Sequence, residues 1–215
     1  MQTSTRPLTA PFAARRAVRG TAIYGEPMHG TIPRELDPAG AQALLTALFE
    51  PGTDRLAHSR GVGRRAEQVA RVLGSPDLLV SAAYLHDIGY AAAALDTGLH
   101  QLDGARYLAR LGVPAELTGL VAHHTEATVE AAERGLDDAL RREFPEPAPE
   151  LLDLLTYCDM TTSARGEPVT VDERFERIYD RYPPDHLVSR SMHSAEPRLR
   201  RLVSGIERRL GLPFR

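Results

Sequence analysis

Apolar positions along this chain recur every three to four residues in one segment after another, the spacing that places them on one face of an α-helix. Leu44, Leu45, Leu48 and Phe49 form such a face behind Asp37-Pro38, an N-cap followed by a proline suited to the first helical position. Residues 55–73 bring His58, Val62, Val69 and Val72 near one face. Ser75-Pro76-Asp77 opens a helix carrying Leu79, Ala82, Ala83 and His86, and Gly89 fits its end. Two short helices, 103–111 and 114–125, are separated by Gly112, and residues 127–143 read as a polar surface helix or pair. PEPAPE at 145–150 is the clearest break; LLDLLTYCDMTTSA after it reads as a buried helix. VDERFERIYDRY and an arginine-rich segment, 185–210, complete the chain, with Pro197 marking a kink or a restart. There is no alternating strand pattern and no internal repeat. The expectation is an all-α bundle over residues 37–165, a C-terminal helical extension over 166–215 packing on it, and a loosely attached segment over 1–36.

Composition narrows the functional classes. A chain of 215 residues with 42% hydrophobic content supports one domain with an appendage. No apolar run approaches the roughly 20 residues of a membrane span, so no membrane partner is expected. The first acidic residue is Glu26, but this basic start lacks the apolar core of a secretory signal, and the location expected is cytoplasmic. A net charge of -3 argues against a nucleic-acid partner. The single cysteine, Cys158, excludes an internal disulfide and a cysteine-built zinc site. All 26 basic residues are arginine, so lysine nucleophiles and Schiff bases are excluded. Any phosphate must be held by guanidinium groups, backbone amides or metals.

The chemistry concentrates in the middle of the chain. His58, His86, His100, His123 and His124 lie on or beside successive helical segments, and Asp87 adjoins one of them in AAYLHDIGYA. Asp159 falls at helical spacing from Leu152 and Leu155, where a core leucine would be expected. Stranding a buried carboxylate without its partner costs roughly 3–5 kcal/mol, so Asp159 needs either an arginine or a shared cation. Helix-bundle cores are a recurrent home for such cation sites.

The order His58, then His86-Asp87, then Asp159 resembles the H…HD…D signature of the HD superfamily of metal-dependent phosphohydrolases. LAHSRGVGRRAEQVA, AAYLHDIGY and TYCDMTTS supply matching local contexts, over roughly residues 53–165. LHQLDGARYL and VAHHTEA are similar to the further histidine segments of HD proteins that hold two metals. The resemblance implies an HD-domain helical bundle with a metal site in its core. It implies that His58, His86, Asp87 and Asp159 bind a first ion, and that Asp87 bridges to a second. His100 with His123, His124 or both would complete the second ion's shell. Adjacent helical residues point about 100° apart, so one of that pair can face substrate or simply pack.

Mixed imidazole and carboxylate ligands suit Fe or Mn, with Co, Ni and Zn as alternatives, better than Mg alone. The expected cofactor is thus a pair of divalent transition-metal ions, and the expected partner a small-molecule phosphate. The reading is hydrolysis of a phosphomonoester or phosphodiester, of a nucleotide or similar compound, with Asp87 catalytic. Many HD hydrolases carry a lysine directly after HD-x-G; Tyr90 stands there. Arg65 and Arg106 are the candidates to replace it. Two alternatives stay open: an HD-type diiron oxygenase cleaving a C–C or C–P bond, and a site that binds without turnover.

Overall fold

The computed structural model describes residues 36–211. Among them are ten α-helices and two single 3-10 turns: α1 Pro38–Leu48, α2 Asp54–Leu73, α3 Asp77–Leu85, α4 His100–Arg110, α5 Ala115–His123, α6 Ala127–Arg134, α7 Asp137–Glu143, α8 Pro149–Met160, α9 Val171–Arg181 and α10 Leu187–Arg209. No strand occurs among the described residues; Thr162 and Pro168 form one isolated bridge. The all-α expectation holds. The proposed tail lies outside the described residues except for Leu36.

Helix α3 is the axis of the bundle. Every residue from Leu79 to Leu85 is buried, as befits a helix apolar on all sides. It is surrounded by α1, α2, α5 and α8. Its neighbours approach closely where glycine permits. The Tyr84 ring lies where a side chain on Gly63 would stand, and the backbone of Gly166 lies where one on Gly61 would stand. Both glycines are on α2, so this helix is pressed between α3 and the 163–168 loop. Asp37 caps α1 by accepting a hydrogen bond from the Gly40 amide at 2.7 Å, as its place before Pro38 predicts.

Three local expectations change. Val72 is 64% exposed, because by the last turn α2 has run past the core. Gly89 does not cap α3, which ends at Leu85; it sits in the 3-10 turn Ile88–Tyr90. Helix α10 runs unbroken through Pro197. The carbonyl that this proline leaves without a donor belongs to the exposed His193, where water can satisfy it. Helices α9 and α10 fold back so that α10 packs on α6, α8 and α9. A Thr170–Glu173 capping box fixes the start of α9.

Gly61→Ala would force α2 away from the Gly166 backbone, a clash no rotamer can relieve. Overpacking of this kind costs about 1–3 kcal/mol. Urea unfolding should show a lower midpoint with an unchanged m-value; an unchanged midpoint would mean the contact is not tight.

Candidate metal centre

Directly beyond the buried helix α3, the chain delivers His86 and Asp87 to the middle of the bundle. His58 comes from the second turn of α2, His100 from the start of α4, His124 from the residue after α5, and Asp159 from the last turn of α8. All are buried except His100, which is partly exposed. The two carboxylate oxygens of Asp87 divide the imidazoles between them. Its Oδ2 lies 3.8 Å from His58 Nε2 and 3.5 Å from His86 Nε2. Its Oδ1 lies 3.3 Å from His100 Nε2 and 3.9 Å from His124 Nε2. Two donor triads result, His58–His86–Asp87 and Asp87–His100–His124, sharing one carboxylate. Asp159 joins the first through its Oδ1, 3.1 Å from His58 Nε2.

The histidines are oriented from behind. His58 Nδ1 donates to the Ser163 carbonyl at 2.9 Å, His86 Nδ1 to Ala83 at 2.8 Å, and His124 Nδ1 to Val121 at 2.7 Å. A carbonyl can only accept, so each Nδ1 carries a proton, and in the neutral rings of His86 and His124 this leaves the Nε2 lone pair turned toward the centre. His86 Nε2 is buried with no hydrogen-bond partner, an orphan that a native core does not keep without reason. Imidazoles anchored by backbone carbonyls, with Nε2 atoms converging on carboxylates and that of His86 unpartnered, fit a transition-metal site.

Charge is arranged to match. Burial lowers His86, and lowers His124 to about 3, so both are neutral at physiological pH. Burial would raise Asp87, but the Arg55 guanidinium first, and a hydrogen bond from His100, hold it well below the usual carboxylate range. Burial opposes Asp159 in the same way, and it is outweighed by the His58 hydrogen bond and Arg174. Arg55 is ion-paired with Asp87 Oδ2, and Arg174 with Asp159 Oδ1 at 3.1 Å.

A model of the HD domain matches residues 55–164, about half of the chain. The chain belongs to the HD domain family. HD domains characterise a superfamily of metal-dependent phosphohydrolases, and the His and Asp groups above are its candidate ligands here. A curated relative, Ribonuclease Y from Rubrobacter xylanophilus, is 32% identical over 123 residues, which is 56% of this chain and 23% of that protein. The matched part thus spans about a quarter of the relative's length. No solved structure matches the chain.

Within the HD domain, packing details explain how His100 and His124 reach the dyad. Gly89 has no room for a side chain, because the backbone at the start of α4, His100 carbonyl included, rests on it. Asp103 fixes the preceding loop: its carboxylate accepts from the amides of Asp96 (3.1 Å), Thr97 (2.8 Å) and Gly98 (3.0 Å) and from the Thr97 hydroxyl (2.7 Å). After His124 the chain takes two successive left-handed residues, Thr125 (φ 48) and Glu126 (φ 60). Neither is glycine, and such positions cost about 1–3 kcal/mol each. The turn places the Thr125 hydroxyl 2.6 Å from Asp159 Oδ2, which fixes the carboxylate from its second oxygen.

The structure brings His58, His86, Asp87, His100, His124 and Asp159 together and leaves three candidates elsewhere. His123 turns away and donates from Nε2 to the Phe144 carbonyl at 2.6 Å, tying α5 to the end of α7. Arg65 packs on Tyr157, donating to its hydroxyl at 2.8 Å. Arg106 is held on the surface between Glu143 and Asp96. The arginines that line the cleft of about 250 Å³ over the centre are Arg55, Arg174, Arg177 and Arg181. Arg55 could have been found from its place three residues before His58, one turn back on the same face. Its guanidinium lies 3.8 Å over the Tyr90 ring, and Tyr90 stacks on His100 with centroids 4.3 Å apart. The cation beside the HD-x-G position thus comes from α2 rather than from residue 90. Cys158 is buried, its thiol pushed up to about 12 by desolvation, and is chemically quiet.

Two outcomes follow. Elemental analysis should find that His124→Ala loses about one ion per chain relative to the parent protein, while His123→Ala keeps the parent's content; the reverse pattern would reassign the second triad. In metal-free protein, His86 and His124 resist protons that the unfolded chain accepts near pH 6.5. Their contribution to stability is therefore full above pH ~6.5 and declines as pH falls from there, on the order of 1 kcal/mol per pH unit for each proton. Denaturation of chelator-treated protein between pH 8 and 4.5 should show this loss, and a shallower one in His124→Gln; a flat profile would contradict it.

Proposed function

We propose that this HD-domain chain is a metal-dependent phosphohydrolase that cleaves a phosphomonoester or phosphodiester of a nucleotide or similar small molecule. The observation that carries this reading is the Asp87 carboxylate, whose two oxygens each face a separate pair of histidines. Two divalent ions held by these groups would neutralise the oxygens of a phosphate and lower the pKa of water toward neutrality. His58, His86, Asp87 and Asp159 would hold one, and Asp87, His100 and His124 the other. Asp87, common to both, is the group suited to accept a hydrogen bond from the attacking water. Arg55, beside Asp87 and stacked on Tyr90, supplies the fixed positive charge that a phosphate needs in a chain without lysine. Fe and Mn are the ions favoured by this donor set.

A cleft of about 250 Å³ supports a small substrate. The phosphodiester branch draws on Ribonuclease Y, whose name denotes RNA cleavage, although a net charge of -3 is a poor match to a polyanion. The oxygenase alternative leaned on the missing lysine, and Arg55 weakens that argument.

Phosphate release across a panel of nucleotides, sugar phosphates and a short RNA, with Mn²⁺ added, tests the reading. Asp87→Ala should lose both bound metal and at least 10³-fold in turnover, a roughly 4 kcal/mol rise in barrier. Full activity in that variant, or O₂ consumption by the ferrous protein without phosphate release, would end the hydrolase assignment.

A further inference from the structure

Part of the wall of the cleft is formed by α9, which lies wholly outside the residues matched to the HD domain. Its sequence, VDERFERIYDR, carries three arginines and four carboxylates. All three arginines, Arg174, Arg177 and Arg181, line the cleft, and none of the carboxylates does. Their spacing of three and four residues gives a single stripe, with Ile178 within it. Arg174 is committed to Asp159. Arg177 and Arg181 have no ion-pair partner among the described residues; Arg181 makes only a loose contact over the Tyr182 ring at 5.7 Å. Of the acidic groups around the cleft, Asp87, Asp159 and Glu130 already face arginines, and Asp54 stands at the start of α2. Both guanidinium groups are exposed and unneutralised on the wall of the cleft, and so are free to meet an anion.

Distance along the helix says where that anion sits. At 1.5 Å per residue, Arg177 lies about 4.5 Å and Arg181 about 10 Å beyond Arg174, which touches the metal-centre carboxylate. The stripe is thus longer than one phosphate group, and its outer end is placed to meet a second anionic group. We propose that Arg177 and Arg181 select a substrate with a second phosphate group, separated from the scissile one by a small organic body that rests on Ile178. α9 is then the specificity element that this chain adds to its HD domain. The inference rests on the phosphohydrolase reading for the identity of the scissile group, but the arginine stripe makes its own prediction about binding.

The test uses matched pairs on the full chain loaded with Mn²⁺: adenosine 5′-phosphate against adenosine 3′,5′-bisphosphate, and glucose 6-phosphate against glucose 1,6-bisphosphate. Charge-assisted hydrogen bonds to a guanidinium correspond to about 10- to 100-fold in affinity. At least one bisphosphate should therefore exceed its monophosphate about tenfold in kcat/KM, mainly through KM. Arg177→Gln/Arg181→Gln should bring that ratio close to one, whereas Glu176→Gln on the outer face should keep it. Calorimetric binding of the same pairs is measured in parallel. A bisphosphate preference in binding that the double variant loses, with no turnover of either compound, upholds the role of α9 and rejects the hydrolase reading. Turnover with no bisphosphate preference in either measurement overturns the inference and leaves the hydrolase reading intact. A preference that survives in the double variant also overturns it.

Discussion

Two carboxylates, Asp87 and Asp159, lie buried at the centre of the bundle, and the way they are compensated organises what surrounds them. Removing one partner from a buried charge costs several kcal/mol, so neither can stand alone. Each is met by an arginine from outside and by imidazoles from within: Asp87 by Arg55 and the two histidine pairs, Asp159 by Arg174 and His58. The arginines come from α2 and α9, and both line one cleft. The same contacts that make the carboxylates tolerable define the floor and sides of a binding site.

The supporting architecture follows from that demand. A helix buried on nearly every side is the natural carrier for a dyad that must emerge deep in the core, and α3 is that helix. Segments on its flanks are drawn in by backbone contact: Gly89 admits the start of α4, and Asp103 collects four donors to hold the loop that leads to His100. Torsional strain at Thr125 and Glu126 is tolerated where it aims a hydroxyl at Asp159. Regular helices carry His58, His100 and Asp159, while His86, Asp87 and His124 stand in the irregular segments just beyond helix ends.

Much of this was legible in the sequence for a definite reason. Helical periodicity located most segments, and the histidines and aspartates stood out because their side chains are expensive where the pattern demands apolar ones. What resisted reading has equally definite causes. Choosing between His123 and His124 depends on where α5 ends, and that end is set by two left-handed residues, Thr125 and Glu126, with nothing in their chemistry to announce it. The arginines were hard to tell apart because six of the ten described helices, α2, α4, α6, α7, α9 and α10, carry arginine, so charge alone carried little contrast. Arg65 and Arg106 found phenol and carboxylate partners, whereas the cleft recruited Arg55 through proximity to Asp87 and the α9 stripe through the return of a distant segment. Pro197 looked like a boundary because its helix-breaking effect was judged without knowing that the freed carbonyl belongs to a water-facing turn.

The Arg55–Asp87 pair carries one more implication, for how the centre would receive a cation. Many small metal domains cannot fold before their ion arrives, because repulsion among bare ligands keeps them open. Here the arginines stand as resident counterions to Asp87 and Asp159. The carboxylates are thus already balanced by side chains of the chain itself, and an arriving cation would compete with a guanidinium for each of them.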